Sequence, residues 1–376
     1  MTWDYTYDAG GWENFESVAQ TPDGGYAGVG SNYLLRLDAA GNVLWAIHFG
    51  AQLTSVKNTA DGGFVVSGYT GNNALLAKTD SFGNLIWQQQ YSKGSRVKTN
   101  TVQETQDGSY IASGNANIGG TKGDEVYLLK TDAFGNPLWD RTFGGIDSDF
   151  DGENDESLQQ TSDGGYIIAG STWSYGYRNY TSDVYLIKTD AYGNLKWQRN
   201  YGSNRTDLGT AVQQTSDGGY IVAGTYGYSS TDDDAYLVRT DSLGNVLWQR
   251  TYGGTQSDRA YSVQVTNDGG YVLAGMYRFS NTDFDFYVVK TNASGFIEWQ
   301  QAIGGSLGEL AFCIQQTFDG GYIVGGYTES FAATSRDFYL VKLGYAAATT
   351  AQDQGVESKE IPLDRAHKEL AASWEQ

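Results

Sequence analysis

Residues Ile146 to Ser157 read IDSDFDGENDES. Asp147, Asp149 and Asp151 alternate, Gly152 follows at once, and Glu153 and Asp155 come next. Alternate oxygens followed by a glycine that permits a sharp bend are the spacing that wraps a chain around Ca²⁺. In that reading Asp147, Asp149, Asp151 and Asp155 ligate through side chains and Glu153 through its backbone carbonyl. The twelfth position, where a complete loop of this kind carries a bidentate glutamate, is Leu158, and no helices flank the stretch. The alternative is a solvated acidic loop, in a chain with 44 acidic against 24 basic residues and a net charge of −20.

A second group of residues could recognise a ligand. The segment STWSYGYRNYTSD (171–183) carries Trp173, Tyr175, Tyr177 and Tyr180, and corresponding stretches add Tyr226 and Tyr228, Tyr277 and Phe279, then Tyr327 and Phe331. Three acids sit beside them in TDDD (231–234). Rings with polar neighbours suit a sugar or a protein ligand. They serve equally well to cover apolar strand ends. Parts for covalent or acid–base catalysis are scarce. The histidines are His48 and His367, the one cysteine is Cys313, and no nucleophile–base pair, phosphate loop or zinc spacing occurs. A carboxylate pair for a carbohydrate hydrolase or lyase would have to come from the same face, and no pair stands out. The charge opposes nucleic acid and anionic membrane surfaces. No stretch approaches the roughly 18 apolar residues of a membrane span.

These residues hang on a repeated framework. Asp-Gly-Gly or a near copy recurs at Asp23, Asp61, Asp107, Asp163, Asp217, Asp268 and Asp319. The clearest unit reads AVQQTSDGGYIVAG, a variable loop, then DAYLVRTDSLGNVLWQRTYGG. It parses into four short strands rich in β-branched and aromatic residues, with tight turns between the first and second and between the third and fourth. Four strands in about 50 residues match a propeller blade. The seventh unit stops after DFYLVKL (337–343), and its missing Trp strand is found at the N-terminus as TWDYTYDAGG (2–11). A split repeat is what a closed ring needs, because it leaves no open sheet edge. The expectation is an all-β, seven-bladed β-propeller over 1–345, with four antiparallel strands per blade and the N-terminal strand completing blade seven.

Symmetry then separates framework from function. Trp3, Trp45, Trp87, Trp139, Trp197, Trp248 and Trp299 recur in every blade and read as packing between blades. The Asp-Gly-Gly acids should bond turn backbone, and Asp183, Asp234, Asp285 and Asp337, each preceding a third strand, also read as structural. Loops after second and fourth strands leave by one face and carry nearly all the variation. The acidic stretch lies on that face, between blades three and four. It is an insertion: Gly145 to Thr161 is a step of 16 residues, where other blades take about 10 to 13.

The tail changes character. Residues 346–360 are small and polar, and IPLDRAHKELAASWEQ (361–376) has the apolar spacing of a short amphipathic helix. A helix this short should dock on the ring, on another copy or on another protein; a frayed end is the alternative.

The unit SVQQTSDGGYIVAG…DVYLIKTD…GN…WQRTYGG resembles a propeller repeat of secreted and cell-surface proteins of bacteria and archaea, and is clearest at 157–202, 211–254 and 262–305. The acidic loop is locally similar to the calcium loops of integrin α-subunit propellers. These resemblances imply an extracellular or surface location, although no signal peptide precedes the first strand, and surface binding or scaffolding rather than catalysis. The expected partner is a protein or glycan on the variable face, with Ca²⁺ in the inserted loop and self-association through the tail as a further expectation.

Overall fold

A computed structural model describes residues 1–344 except 11, 120–122, 153–155, 177–180, 230–231, 281–282 and 332–335, together with 359–360 and 368–369. Seven antiparallel sheets follow one another around a ring. Blade five shows the unit: Leu208–Gln214, Tyr220–Ser229, Asp232–Thr240 and Val246–Tyr252 pair in sequence order from the inside out. The fourth strand of blade seven is Trp3–Tyr7, which pairs with Asp337–Leu343 from Trp3 opposite Lys342 to Tyr7 opposite Phe338. The ring is therefore closed by its own N-terminus.

Each blade is too thin to bury both of its faces alone. Its second and third strands are buried along most of their length, and throughout in Tyr166–Thr172 and Asp183–Thr189 of blade four. The apolar clusters accordingly join neighbouring blades, for example Ile221 and Leu237 with Leu273 and Val289. The seven tryptophans complete these contacts. Trp197 meets Tyr220 of the next blade at 5.8 Å between ring centres, and Trp3 meets Tyr26 at 5.9 Å. The next blade supplies a glycine beneath six of the seven rings, all but Trp299: a Cβ on Gly244 would stand 3.0 Å from Trp197, and one on Gly193 2.6 Å from Trp139.

The Asp-Gly-Gly turns carry more than backbone bonds. Asp217 accepts from the Gly219 amide at 3.2 Å and from the Thr215 hydroxyl at 2.6 Å. It also pairs with Arg239 of the third strand, whose side chain is otherwise buried. All seven blades repeat this pair: Arg36–Asp23, Lys78–Asp61, Lys130–Asp107, Lys188–Asp163, Arg239–Asp217, Lys290–Asp268 and Lys342–Asp319, at 2.5 to 3.1 Å.

No helix occurs among the described residues. Of the tail, only Lys359–Glu360 and Lys368–Glu369 are described, and both are extended. Lys359 lies opposite Thr251 and Glu360 opposite Arg250; Lys368 lies opposite Asn200 and Glu369 opposite Arg199. Lys368 and Glu369 fall within the stretch expected to be helical, and there the expectation is corrected. The outer strand of a blade presents unpaired N–H and C=O groups that an extended segment can satisfy, whereas a short helix has little to hold it away from a docking surface. The rest of 345–376, including His367, lies outside the described residues.

Candidate functional site

The inserted loop is an enlarged β-bulge. In five blades the innermost strand skips one residue in its pairing, as between Gly209 and Ala211 in blade five or Ala260 and Ser262 in blade six. Blade four opens at the same place. Asp149–Asp151 pairs with Thr172 to Gly170 and Leu158–Gln160 with Ile168 to Tyr166, so six residues of sequence separate the two pairings where those five blades have one. A bulge leaves its extra residue unpaired, so it is the site where a strand tolerates an insertion.

Within this loop the structure gives the two central acids separate partners. Asp149 is buried and accepts hydrogen bonds from the Gly145 amide at 2.8 Å, the Ser174 hydroxyl at 2.6 Å and the Thr172 hydroxyl. Asp151 is buried towards blade three and accepts from Asn100 Nδ2 at 2.6 Å, Ser113 Oγ at 2.9 Å and Ser157 Oγ at 3.2 Å. Asp147 is exposed, with its amide bonded to Ser174 Oγ at 3.1 Å. Among the described residues these three acids do not gather; the one convergent group of three carboxylates is Asp8, Glu13 and Asp337. Glu153 and Asp155 lie outside the described residues.

The position of Asp149 recurs. Asp207 accepts from the Ser203 and Gly227 amides at 2.5 and 2.9 Å, and Asp258 from Gly254 and Arg278 at 2.6 and 2.8 Å. Glu309 accepts from the Gly305 amide at 2.8 Å and the Thr328 hydroxyl at 2.7 Å. Each clamps the loop that enters its blade. Beside each stands an acid of the preceding blade's third strand: a Cβ on Gly253 would lie 2.5 Å from Asp258 and 2.6 Å from Asp234, and one on Gly304 2.1 Å from Asp285 and 2.3 Å from Glu309. Crowding two buried carboxylates makes ionisation costly. Burial, with Asp183 nearby, raises Asp207 to about 7. Burial and the charges of Glu309 and Asp283 raise Asp285 to about 7. Recurrence at successive junctions marks these acids as framework.

The aromatic residues divide in the same way. Tyr226 and Tyr277 hold equivalent strand positions, opposite Asp234 and Asp285, while Tyr175 comes from beyond the strand end at Thr172; all three lean on third-strand tyrosines, Tyr175 on Tyr185 at 5.8 Å, Tyr226 on Tyr236 at 5.2 Å and Tyr277 on Tyr287 at 5.2 Å. They cover blade tops. Trp173, Phe279 and Phe331 remain in solvent, at 36, 44 and 49 % exposure. Tyr177 and Tyr180, like the Tyr228 side chain, lie outside what is described. Two exposed residues that composition did not single out join them, Trp12 (68 %) and Leu307. The Arg336 guanidinium stacks between the Trp12 and Tyr327 rings, at 4.7 and 4.3 Å.

A cavity opens on the other face. About 690 Å³ lies between the ends of the innermost strands, lined by Gln103, Gln159, Gln213, Gln264, Gln315 and Lys57 among others. The glutamines stitch the ring. Gln159 Oε1 accepts the Gln214 amide of the next blade at 2.6 Å, Gln213 accepts that of Val265 at 2.5 Å, and Gln315 accepts that of Gln20 at 2.7 Å. The neighbouring residue stitches backwards: Gln214 accepts the Ser162 amide at 2.8 Å and Gln316 that of Asn267 at 2.9 Å. The signal was present in the sequence as the Gln-Gln-Thr that ends several inner strands, an odd place for two amides unless both are bonded.

One solved relative is a WD40 domain. It is that of Pan2 from Neurospora crassa, with a TM-score of 0.56 at 9 % identity, covering 88 % of this chain and 91 % of that one. YCF48 from Cyanidioschyzon merolae is similar at a TM-score of 0.55 and 10 % identity, over 91 % and 98 % of the two chains. Likeness at such identity speaks for the fold. No known family and no curated protein matches the sequence. No helix among the described residues is long and apolar enough to cross a membrane.

Proposed function

We propose that this propeller is a non-catalytic binding scaffold at the cell surface or outside the cell, of the repeat type it resembles, and that it takes a protein partner on its variable-loop face. The observation that carries the proposal is the run of exposed side chains over blades six, seven and one. Phe279, Leu307, Phe331 and Trp12 come from four successive loops of this face, and all are more than two-fifths exposed. The loops are braced from beneath: the Leu307 amide donates to Ser330 Oγ at 2.9 Å, and Arg336 pairs with Glu329 at 2.8 Å. Large apolar rings held on rigid supports are the composition of an interface centre. The expected partner presents apolar side chains within a basic rim, matching a chain of net charge −20. Affinity capture from the source's surface fraction tests this. A partner retained by wild type and by Phe82→Ala/Phe134→Ala, and lost by Phe279→Ala/Phe331→Ala, supports the reading. Loss with the first pair and not the second sinks it.

A calcium ion in the blade-four loop narrows under the same geometry. Asp149 and Asp151 already hold protein donors, so such an ion rests on Asp147, Glu153 and Asp155. Calorimetric titration of Ca²⁺ into wild type and Asp147→Asn/Asp155→Asn tests it: heat in the first and none in the second is expected, and equal curves reject it.

A further inference from the structure

The mouth of the ring on the tight-turn face has a chemistry of its own, distinct from the binding face proposed above. Five glutamines stand at one level of the innermost strands: Gln103, Gln159, Gln213, Gln264 and Gln315, opposite Ile111, Ile167, Ile221, Val272 and Ile323 of their second strands. Each Oε1 receives a backbone N–H from the next blade; Gln103 takes that of Gln160 at 2.9 Å and Gln264 that of Gln316. A backbone N–H can only donate, so the oxygen of each carboxamide is fixed at the stitch. The amino group of each is then the end left for the cavity. Among the described residues none of the five amino groups has a protein acceptor, and all five side chains are half-buried in the cavity wall. Lys57 takes the same level in blade two, and Ala19 in blade one leaves the circle without a polar group there.

Acceptors face these donors. Glu104 lines the same mouth, with one oxygen held by the Ala60 amide at 2.7 Å. Glu156 comes from the inserted bulge of blade four and reaches past blade five to blade six, where its carboxylate accepts from Ser262 Oγ at 2.6 Å and the Val263 amide at 3.0 Å. The insertion that sequence spacing marked as a calcium loop thus sends a side chain into the wall of this cavity. An anion entering here meets two carboxylates and a chain of net charge −20. A metal ion meets a circle of N–H donors and an ammonium. A neutral ligand whose every hydroxyl both donates and accepts suits the mixture, and the volume lies within the range of small-molecule sites.

We propose that this axial mouth binds a neutral saccharide, read by hydrogen bonds from the glutamine circle and Lys57 and to Glu104 and Glu156. Gln213→Glu/Gln264→Glu tests it without unstitching the ring, because a glutamate oxygen still accepts the neighbouring amide while the donor is gone. Saturation-transfer NMR with neutral trisaccharides of glucose and of N-acetylglucosamine, at millimolar concentration, supplies the readout. Wild type and Phe279→Ala/Phe331→Ala should show equal transfer, and the glutamate variant, at unchanged melting temperature, an affinity at least tenfold lower. Should the glutamate variant melt early, Glu104→Gln, whose remaining oxygen still accepts the Ala60 amide, is expected to weaken binding in its place. Transfer that is absent from wild type, unchanged in both mouth variants, or lost only in the Phe279/Phe331 variant overturns the proposal. The last of these outcomes would move the sugar to the opposite face and leave the scaffold reading to its own test.

Discussion

Aspartates on the two faces of this ring live in opposite electrostatic conditions. On the tight-turn face each Asp-Gly-Gly acid meets a hydroxyl, a backbone amide and a Lys or Arg; Asp217 is held down to about 2 by Thr215, against some burial, with Arg239 and Gly219 adding to it. On the variable face acids meet acids, and Asp207 and Asp285 rise to about 7. The first arrangement is repeated seven times with little change. The second begins at blade four, where the loops lengthen and the exposed rings gather. A face whose turn aspartates are each answered by a cation keeps those charges steady. The face that concentrates buried like charges under variable loops is the one that pH can alter.

The sharpest way to break this contrast is to add volume between a pair of acids. Gly253→Ala places a Cβ 2.5 Å from Asp258 and 2.6 Å from Asp234, both buried. Overpacking of this kind should cost about 3 kcal/mol. Gly62→Ala, in a tight turn, meets nothing within 4 Å, and its cost is the strain of its positive φ, about 1 kcal/mol. Urea denaturation of both variants measures the difference, and equal losses would remove the distinction between the faces.

pH probes the same pairs more gently. Asp207 and Asp285 have folded-state pKa values near 7, above the ordinary 3.8. The folded chain keeps protons there that the unfolded chain loses, so their contribution is complete below about pH 4 and is lost as pH rises through 7. Raising pH from 5 to 8 should therefore destabilise the protein, by at most about 5 kcal/mol from the two groups together. Asp285→Asn should remove part of that slope and melt above wild type at pH 8 but not at pH 5. A parallel pH dependence in wild type and variant would show that Asp285 is not the source.

Much of this architecture could be read from the chain before any coordinates. The Asp-Gly-Gly spacing, the recurrent tryptophans and the split seventh unit led to seven blades and to Trp3 as the closing strand. They succeeded because each blade solves one packing problem with one set of residues. The acidic stretch is legible as an insertion, but its extra residues open within the innermost strand, between Asp151 and Leu158, rather than in a loop of the variable face. What spacing could not tell is where the side chains point. Asp149 and Asp151 alternate like ligands, yet alternation is also what a strand does, and here each reaches a different set of donors. Tyr226 reads as a platform by type and is buried against Tyr236 by position. The glutamine circle escapes a filter that counts residues recurring from blade to blade as framework alone, because these five are framework on one atom and open on another.

The third test works on the tight-turn face. Lys78 is buried at its head group, between Asp61 and the Thr79 carbonyl. Lys78→Met keeps the stem and removes the charge. Because Asp61 is well exposed, the loss should be modest, about 1 kcal/mol. Burial opposes it, but the Thr59 hydroxyl and Lys78 hold Asp61 down to about 2, so its contribution is present above 3.8 and fades as pH falls towards 2. The variant should therefore unfold at a higher pH on acid titration while matching the wild-type slope between pH 5 and 8. The slope over that upper range belongs to the other face, and a change in it would mean that the two faces are coupled.

The smallest effect is expected where function is proposed. Phe279→Ser/Phe331→Ser removes two half-exposed rings, and surface changes of this kind fall within about 0.5 kcal/mol. Phe331 does touch Tyr339 at 5.8 Å, and Phe279 touches Tyr277 at 4.8 Å, so some packing is lost. Both partners keep their own anchors: Tyr339 meets Phe286 at 5.0 Å and Tyr277 leans on Tyr287. Phe82 and Phe134, exposed on the tight-turn face at 77 and 71 %, provide the matched control. Their serine variants should also melt with wild type. Thermal unfolding that separates the two pairs by more than a few degrees would mean that the variable-face rings hold their loops in place; indistinguishable melting leaves those rings available to a partner.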